Sequence, residues 1–168
     1  NGRQPDENYA REVMQLFTIG VHRLAPDGTV QRDEAGAPIP AFSEADVTNL
    51  ARVFTGYDVD TSSGWLAYWD SQIPHPDYAR RPLRVDTAKH STLPKNFLGT
   101  RIAAAAHPDD ALRVALDTLF NHPNVGPFVG RQMIQRPVAS NPSPAYVARV
   151  TAAFADNGQG VRGDMRAL

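Results

Sequence analysis

Between Gly126 and Val150 the chain reads GPFVGRQMIQRPVASNPSPAYVARV, a stretch best satisfied by two short helices joined by a stiff elbow. The elbow, Pro137–Pro144, holds three prolines. Each proline fixes its own φ and turns the residue before it away from helical geometry. Ser143 then restarts the chain as an N-cap, with Pro144 at the first helical position. In the helix before the elbow, Phe128, Val129, Gln132, Met133 and Arg136 fall within one arc of the helical wheel. A guanidinium inside an apolar stripe needs a partner, because an unpaired buried charge is costly. Arg136 is therefore expected to have a buried stem and a carboxylate partner, with Glu12 the best candidate. On that reading Arg136→Ala costs about 3 kcal/mol or more. If Arg136 instead faces a pocket with no carboxylate nearby, anion binding by Gln132 and Arg136 is the alternative.

The remaining pattern is helical at both ends and irregular in the middle. Asp6 caps a helix from Glu7 to Ile19, with Gly20 as its stop. Tyr9, Val13, Leu16 and Phe17 form its apolar side; Asn8, Arg11, Glu12 and Gln15 form its polar side. Residues 21–41 read as loop, and no internal repeat is evident. Ser43 opens the next helix, with Asp46 completing a capping box and Phe42 stapled onto Val47. Val47, Leu50, Ala51 and Phe54 carry its stripe as far as Gly56. From Tyr57 to Ile102 the helical period disappears. Leu83–Val85 and Asn96–Ile102 look like short strands flanking Asp86–Lys95, as in a small β-hairpin. Trp65 or Trp69 is expected to be buried against the helices. Asp109–Asn121 is helical again, with Leu112, Ala115, Leu116, Leu119 and Phe120 at core spacing. Pro144–Asp156 turns Val147, Val150 and Phe154 inward, and Gly163-Asp164 starts a final helix. The expectation is a mainly α, single α-rich domain over residues 1–168, with about five to six helices and a β-hairpin excursion at 57–102.

Composition excludes several function classes. A formal net charge of −1 gives no electrostatic case for nucleic acid or an anionic membrane. The absence of cysteine removes disulfides, thiolate metal sites and a cysteine nucleophile. No apolar run approaches the roughly 20 residues of a membrane span, although Gly126-x-x-x-Gly130 has the spacing of a membrane packing motif. His75, His107 and His122 each precede proline, which suits imidazoles that cap backbone groups at turns. No histidine pair has metal-site spacing, so neither a metal nor a cofactor is expected. The candidate chemistry lies in KHSTLPKNFLG, where His90 and Lys95 could act as acid–base or anion-holding groups beside Ser91 and Thr92. A solvated hairpin tip is the plainer reading there. Arg11 with Glu12 forms a second candidate pair.

The order of several separated motifs carries a family resemblance. These are Glu7-Asn8-Tyr9-Ala10-Arg11-Glu12 with Leu16-Phe17-Thr18-Ile19-Gly20, Asp46-Val47 with Leu50-Ala51-Arg52, and Thr55-Gly56-Tyr57. His90, Lys95 and Leu98-Gly99 follow, then Leu119-Phe120-Asn121-His122-Pro123, and Gln135-Arg136 with Ser140-Asn141-Pro142-Ser143-Pro144. Over nearly its whole length the chain resembles the bacterial domain-of-unknown-function family 1800. Tyr57 stands where similar sequences often carry tryptophan, and Pro137 where leucine is common. The resemblance implies an exported protein, periplasmic or beyond, corresponding to the C-terminal part of a longer chain whose missing N-terminal part covers apolar surface. It also implies a sulfatase-like exported neighbour as a possible partner, and it supplies no reaction. Two expectations follow: a binding or assembly module for an envelope or sulfatase-like partner, or a hydrolase on an exported or envelope substrate. The hydrolase would use His90 as acid–base, with Lys95, Arg11 or Arg136 holding an anion. Convergence of His90, Lys95, Arg11 and Glu12 on one concave pocket would favour it.

Overall fold

The computed structural model describes residues 5–68 and 71–168. Asp6 caps α1 (Glu7–Glu12) by accepting the Asn8 amide. The chain continues directly into a π-helical segment, Val13–Thr18. The amides of Ile19 and Gly20 both reach the Met14 carbonyl at 2.9 Å. This widened turn changes which face is inside. Ala10, Met14 and Ile19 are buried, whereas Tyr9, Leu16 and Phe17 lie outside. The expected apolar stripe is thus turned outward. The 3.6-residue period fails where one turn takes an extra residue, and alanine at position 10 suits the contact side of the helix.

Residues 21–41 are not simple loop. Three extended legs, 21–25, 29–33 and 37–41, run at an eight-residue spacing and close into a ring. The Gln31 amide donates to the Arg23 carbonyl (2.8 Å), Ile39 to Gln31 (3.0 Å) and Arg23 to Ile39 (2.8 Å). Gly28 and Gly36 supply the left-handed turns between legs, with φ of 78° and 82°. The eight-residue period is an internal repeat that periodicity at 2 or 3.6 residues does not detect.

Helix α2 (Glu44–Val53) begins with the expected capping box: Asp46 accepts the Ser43 amide, and Ser43 Oγ accepts the Asp46 amide. Val47, Leu50, Ala51 and Val53 form its buried face, with Phe54 packed at the edge. The middle of the chain holds three small antiparallel pairs rather than one hairpin. β1 (Tyr57–Asp58) pairs with β4 (Arg84–Val85), β2 (Trp65–Tyr68) with β3 (Ser71–Pro74), and β5 (Lys95–Phe97) with β6 (Thr100–Ile102). A single 3-10 turn, Pro76–Arg80, lies between β3 and β4. The expected pairing of 83–85 with 96–102 fails for a local reason. Leu98 and Gly99 both have positive φ, 47° and 78°, which closes a two-residue hairpin of its own. Trp65 is 54 % exposed rather than buried; Trp69 lies outside the described residues.

The C-terminal half comprises α3 (Pro108–Phe120), α4 (Val125–Gln135) and α5 (Pro144–Ala155). Helix α3 buries Ala115 and Leu119 as expected, with Leu112 packed against the core and Ala111 buried beside them, whereas Leu116 and Phe120 are exposed. Gly126 and Gly130 do form a helix-packing surface, within the protein. A Cβ at Gly130 would lie 3.0 Å from Val150, and one at Gly126 would lie 3.1 Å from Thr151, so α4 and α5 pack closely. Ser143 caps α5 with Pro144 in its first turn. In the elbow, the amides of Val138 and Ala139 both donate to the Ile134 carbonyl. The final helix expected at Gly163 is a set of turns, since Gly163 sits at φ 73°. The result is a helix-rich chain with small β elements. Its core is formed where α1, α2, the β5–β6 hairpin and α3 meet.

Candidate functional site

Thr55-Gly56-Tyr57 holds the segment that carries His90. The Thr55 hydroxyl donates to the Arg52 carbonyl and accepts the Ser91 amide, both at 2.8 Å. The Gly56 carbonyl accepts the Asp86 amide at 2.8 Å. At Gly56, with φ 85°, a Cβ would lie 2.7 Å from the Asp86 carbonyl oxygen and 3.0 Å from the His90 nitrogen. Only glycine lets the segment approach this closely. From α2, Asn49 Oδ1 accepts the Asn96 amide and Asp46 Oδ1 accepts the Leu98 amide. Arg52 reaches the Pro94 carbonyl. Side chains of α2 therefore clamp the backbone of 94–98, and Thr55 and Gly56 just beyond the helix hold that of 86–91.

His90 and Lys95 are buried inside this clamp, at 7 % and 0 % exposure, and the solvated-tip reading does not hold. His90 Nδ1 lies 2.9 Å from the Thr55 carbonyl. A carbonyl only accepts, so Nδ1 carries the proton and Nε2 the lone pair. Nε2 is shielded and has no partner among the described residues. Lys95 Nζ donates to the Ser91 (2.9 Å) and Leu93 (3.3 Å) carbonyls. Burial lowers the His90 pKa, opposed by the Thr55 bond and reinforced by Lys95 and His107. Burial, with Arg52 nearby, also lowers that of Lys95. A cleft of about 190 Å³ adjoins His90 and is bounded by Thr87, Thr92 and His107. As folded, His90 Nδ1 and the Lys95 ammonium bond backbone, which anchors the loop, while His90 Nε2 is left without a partner among the described residues.

The other sequence candidates lie elsewhere. Arg11 pairs with Glu44 through two bonds, 3.0 and 2.6 Å, tying α1 to the start of α2. The pair raises the Arg11 pKa and lowers that of Glu44. Glu7 accepts the Thr48 hydroxyl on the same pair of helices. Glu12 is exposed, and among the described residues it forms no ion pair. Arg136 is exposed at the end of α4, and no carboxylate pairs with it among the described residues. This overturns the buried Glu12–Arg136 bridge. The buried face of α4 is instead Val125, Gly126, Pro127, Gly130 and Ile134, dictated by close packing on α5, and Gln132 lies half-buried beside it. The pocket that would bring His90, Lys95, Arg11 and Glu12 together does not form. The three His-Pro imidazoles behave as expected. Nδ1 of His75, His107 and His122 each accepts the amide two residues on, at 3.3, 3.3 and 3.1 Å.

By sequence, His122-Pro123-Asn124 breaks α3 and caps the next helix, yet Asn124 makes no side-chain cap bond. Its side chain reaches the ring of legs instead. Nδ2 donates to the Ile19 (2.8 Å) and His22 (2.7 Å) carbonyls, and Oδ1 accepts the Leu24 amide (3.0 Å). No local signal distinguishes this role from an N-cap, because the partners lie about a hundred residues away. Among the described residues, no three His, Asp or Glu side chains converge as a metal site, and no helix is long and apolar enough to cross a membrane.

Fold and site together define a helix-rich scaffold whose irregular segments are fixed by polar side chains bonding backbone. Its small clefts are lined more by such anchoring groups than by an assembled set of reactive ones. A family model described as a protein of unknown function (DUF1800) matches residues 1–168, and the chain belongs to that family. Neither the curated proteins nor the solved structures give a match.

Proposed function

We propose that this chain is a binding or assembly module that docks an exported, sulfatase-like partner through its first helical segment. One observation carries the reading. Tyr9, Leu16 and Phe17, all in this segment, have exposures of 55, 49 and 68 %, although Val13 packs against the core and Tyr9 meets the edge of Phe54. Several large apolar side chains exposed within one short segment mark an interaction surface, and aromatic residues are enriched at the centres of such interfaces. The occupant is the expectation that the family resemblance carries, a sulfatase-like exported neighbour.

The hydrolase reading has less behind it. Of its groups, His90 borders a cleft. Lys95 is held by two carbonyls and Arg11 by Glu44. Mixing the chain with the neighbouring sulfatase-like protein should give a complex on size-exclusion chromatography. Phe17→Asp should abolish that complex while leaving thermal unfolding unchanged, because the ring is exposed. Failure of the wild-type chain to form a complex, or a complex indifferent to Phe17→Asp, would overturn the proposal.

A further inference from the structure

A second cleft lies where the ring of legs meets the N-terminus of α2 and the β5–β6 turn. It encloses about 390 Å³ and is lined by Arg23, Phe42, Asp46, Leu98, Gly99 and His122 among others. That volume falls within the range of small-molecule sites.

Its polar groups have defined roles. The Arg23 side chain is exposed. Its backbone amide closes the ring by bonding Ile39, and among the described residues its guanidinium has no carboxylate partner. The tautomer of His122 is fixed by its own chain: Nδ1 accepts the Asn124 amide at 3.1 Å, so the neutral ring carries its proton on Nε2. Burial, with Arg23 nearby, lowers the His122 pKa and favours that neutral form. Asp46 is the one carboxylate in the lining, and its oxygens are already engaged. Oδ2 accepts the Ser43 amide and hydroxyl at 2.7 and 2.6 Å, and Oδ1 accepts the Leu98 amide at 2.7 Å. Its charge also sits in the first turn of α2, where the helix N-terminus offsets it. What remains free on the cleft wall is a guanidinium fork and an imidazole N–H, beside the apolar surfaces of Phe42 and Leu98.

We propose that this cleft binds a small organic oxyanion, with Arg23 and His122 Nε2–H taking its oxygens and Phe42 and Leu98 packing its apolar body. A carboxylate and a phosphate monoester share the chemistry that a guanidinium fork recognises. The proposal is independent of the docking face on α1. It is tested by following the His122 ring protons of the whole chain by NMR during titration with phenyl phosphate, with benzoate, and with neutral benzyl alcohol. At least one anion should give a saturable shift, and the alcohol none; which anion binds more tightly identifies the headgroup. Arg23→Gln should weaken binding by roughly tenfold or more without moving the thermal midpoint, because among the described residues that side chain makes no hydrogen bond or ion pair and it is exposed. Absence of saturation with both anions, an equal response to the alcohol, or unchanged affinity in Arg23→Gln would overturn it.

Discussion

Replacing Gly56 with alanine measures how much the scaffold depends on the close approach of residues 86–90 to the end of α2. Two costs add. The residue sits at φ 85°, where a side chain costs roughly 1–2 kcal/mol. The new methyl would also lie 2.7 Å from the Asp86 oxygen and 3.0 Å from the His90 nitrogen. Both are backbone atoms and cannot rotate away, and overpacking of this kind costs about 1–3 kcal/mol. The expected loss is therefore about 2–5 kcal/mol, a large part of the roughly 5–15 kcal/mol that holds a typical domain folded. Gly36 is the internal control: its φ is 82° and nothing lies within 4 Å of the position of a Cβ. Gly36→Ala should show only the conformational cost, about 1–2 kcal/mol. Urea unfolding followed by circular dichroism, with both variants in one buffer, reads the difference. If Gly56→Ala loses no more stability than Gly36→Ala, the clamp argument is wrong.

Three further outcomes follow from other parts of the molecule. His90 and His122 both have pKa values held below 6.5 in the folded chain, chiefly by burial. The unfolded chain therefore takes up protons first as the solution is acidified. The stability these rings contribute is fully present above about pH 6.5 and declines as pH falls through that value toward the folded pKa values. A urea midpoint that stays flat between pH 8 and 5 would contradict this. Asn124→Ala strips partners from two carbonyls and an amide and should cost about 3 kcal/mol or more. Asn124→Asp should be at least as damaging, because a carboxylate repels the Ile19 and His22 oxygens; a milder Asp variant in the same urea assay would refute the assignment. Arg136→Ala should change stability by no more than about 0.5 kcal/mol, and a loss near 3 kcal/mol would restore the buried bridge.

The features legible in sequence are those whose physics is local. The Ser43–Asp46 capping box, the Ser143-Pro144 restart, the three His-Pro caps and the proline elbow each depend on atoms a few residues apart, and each is found in the structure. Helix existence was also legible, but helix phase only in part. In α1 the pattern favours Tyr9, Leu16 and Phe17 for the core, whereas Ala10 and Met14 are buried; in α3 Ala115 and Leu119 are buried as the pattern favours, while Leu116 and Phe120 are exposed. The π-helical turn after Glu12 adds a phase change that no fixed period contains. At the candidate site, residue types pointed to His90 and Lys95 but not to their state. Whether an imidazole is a free base or a backbone anchor depends on Thr55, 35 residues away. The same distance problem hid the partners of Asn124, and it misassigned Arg136, whose partner had to be guessed across the fold.

The ring formed by Arg23, Gln31 and Ile39 has a consequence for how this part of the chain opens. Each leg gives its central amide to one neighbour and its carbonyl to the other, so the central backbone groups of all three legs are satisfied within the ring. One leg cannot fray alone, since lifting any of the three breaks two of the three bonds. In hydrogen–deuterium exchange the amides of residues 23, 31 and 39 should therefore open as one cooperative unit. Asn124 fixes the adjoining stretch from Ile19 to Leu24, so the opening of that unit is tied to the α3–α4 junction rather than to the segment's own sequence.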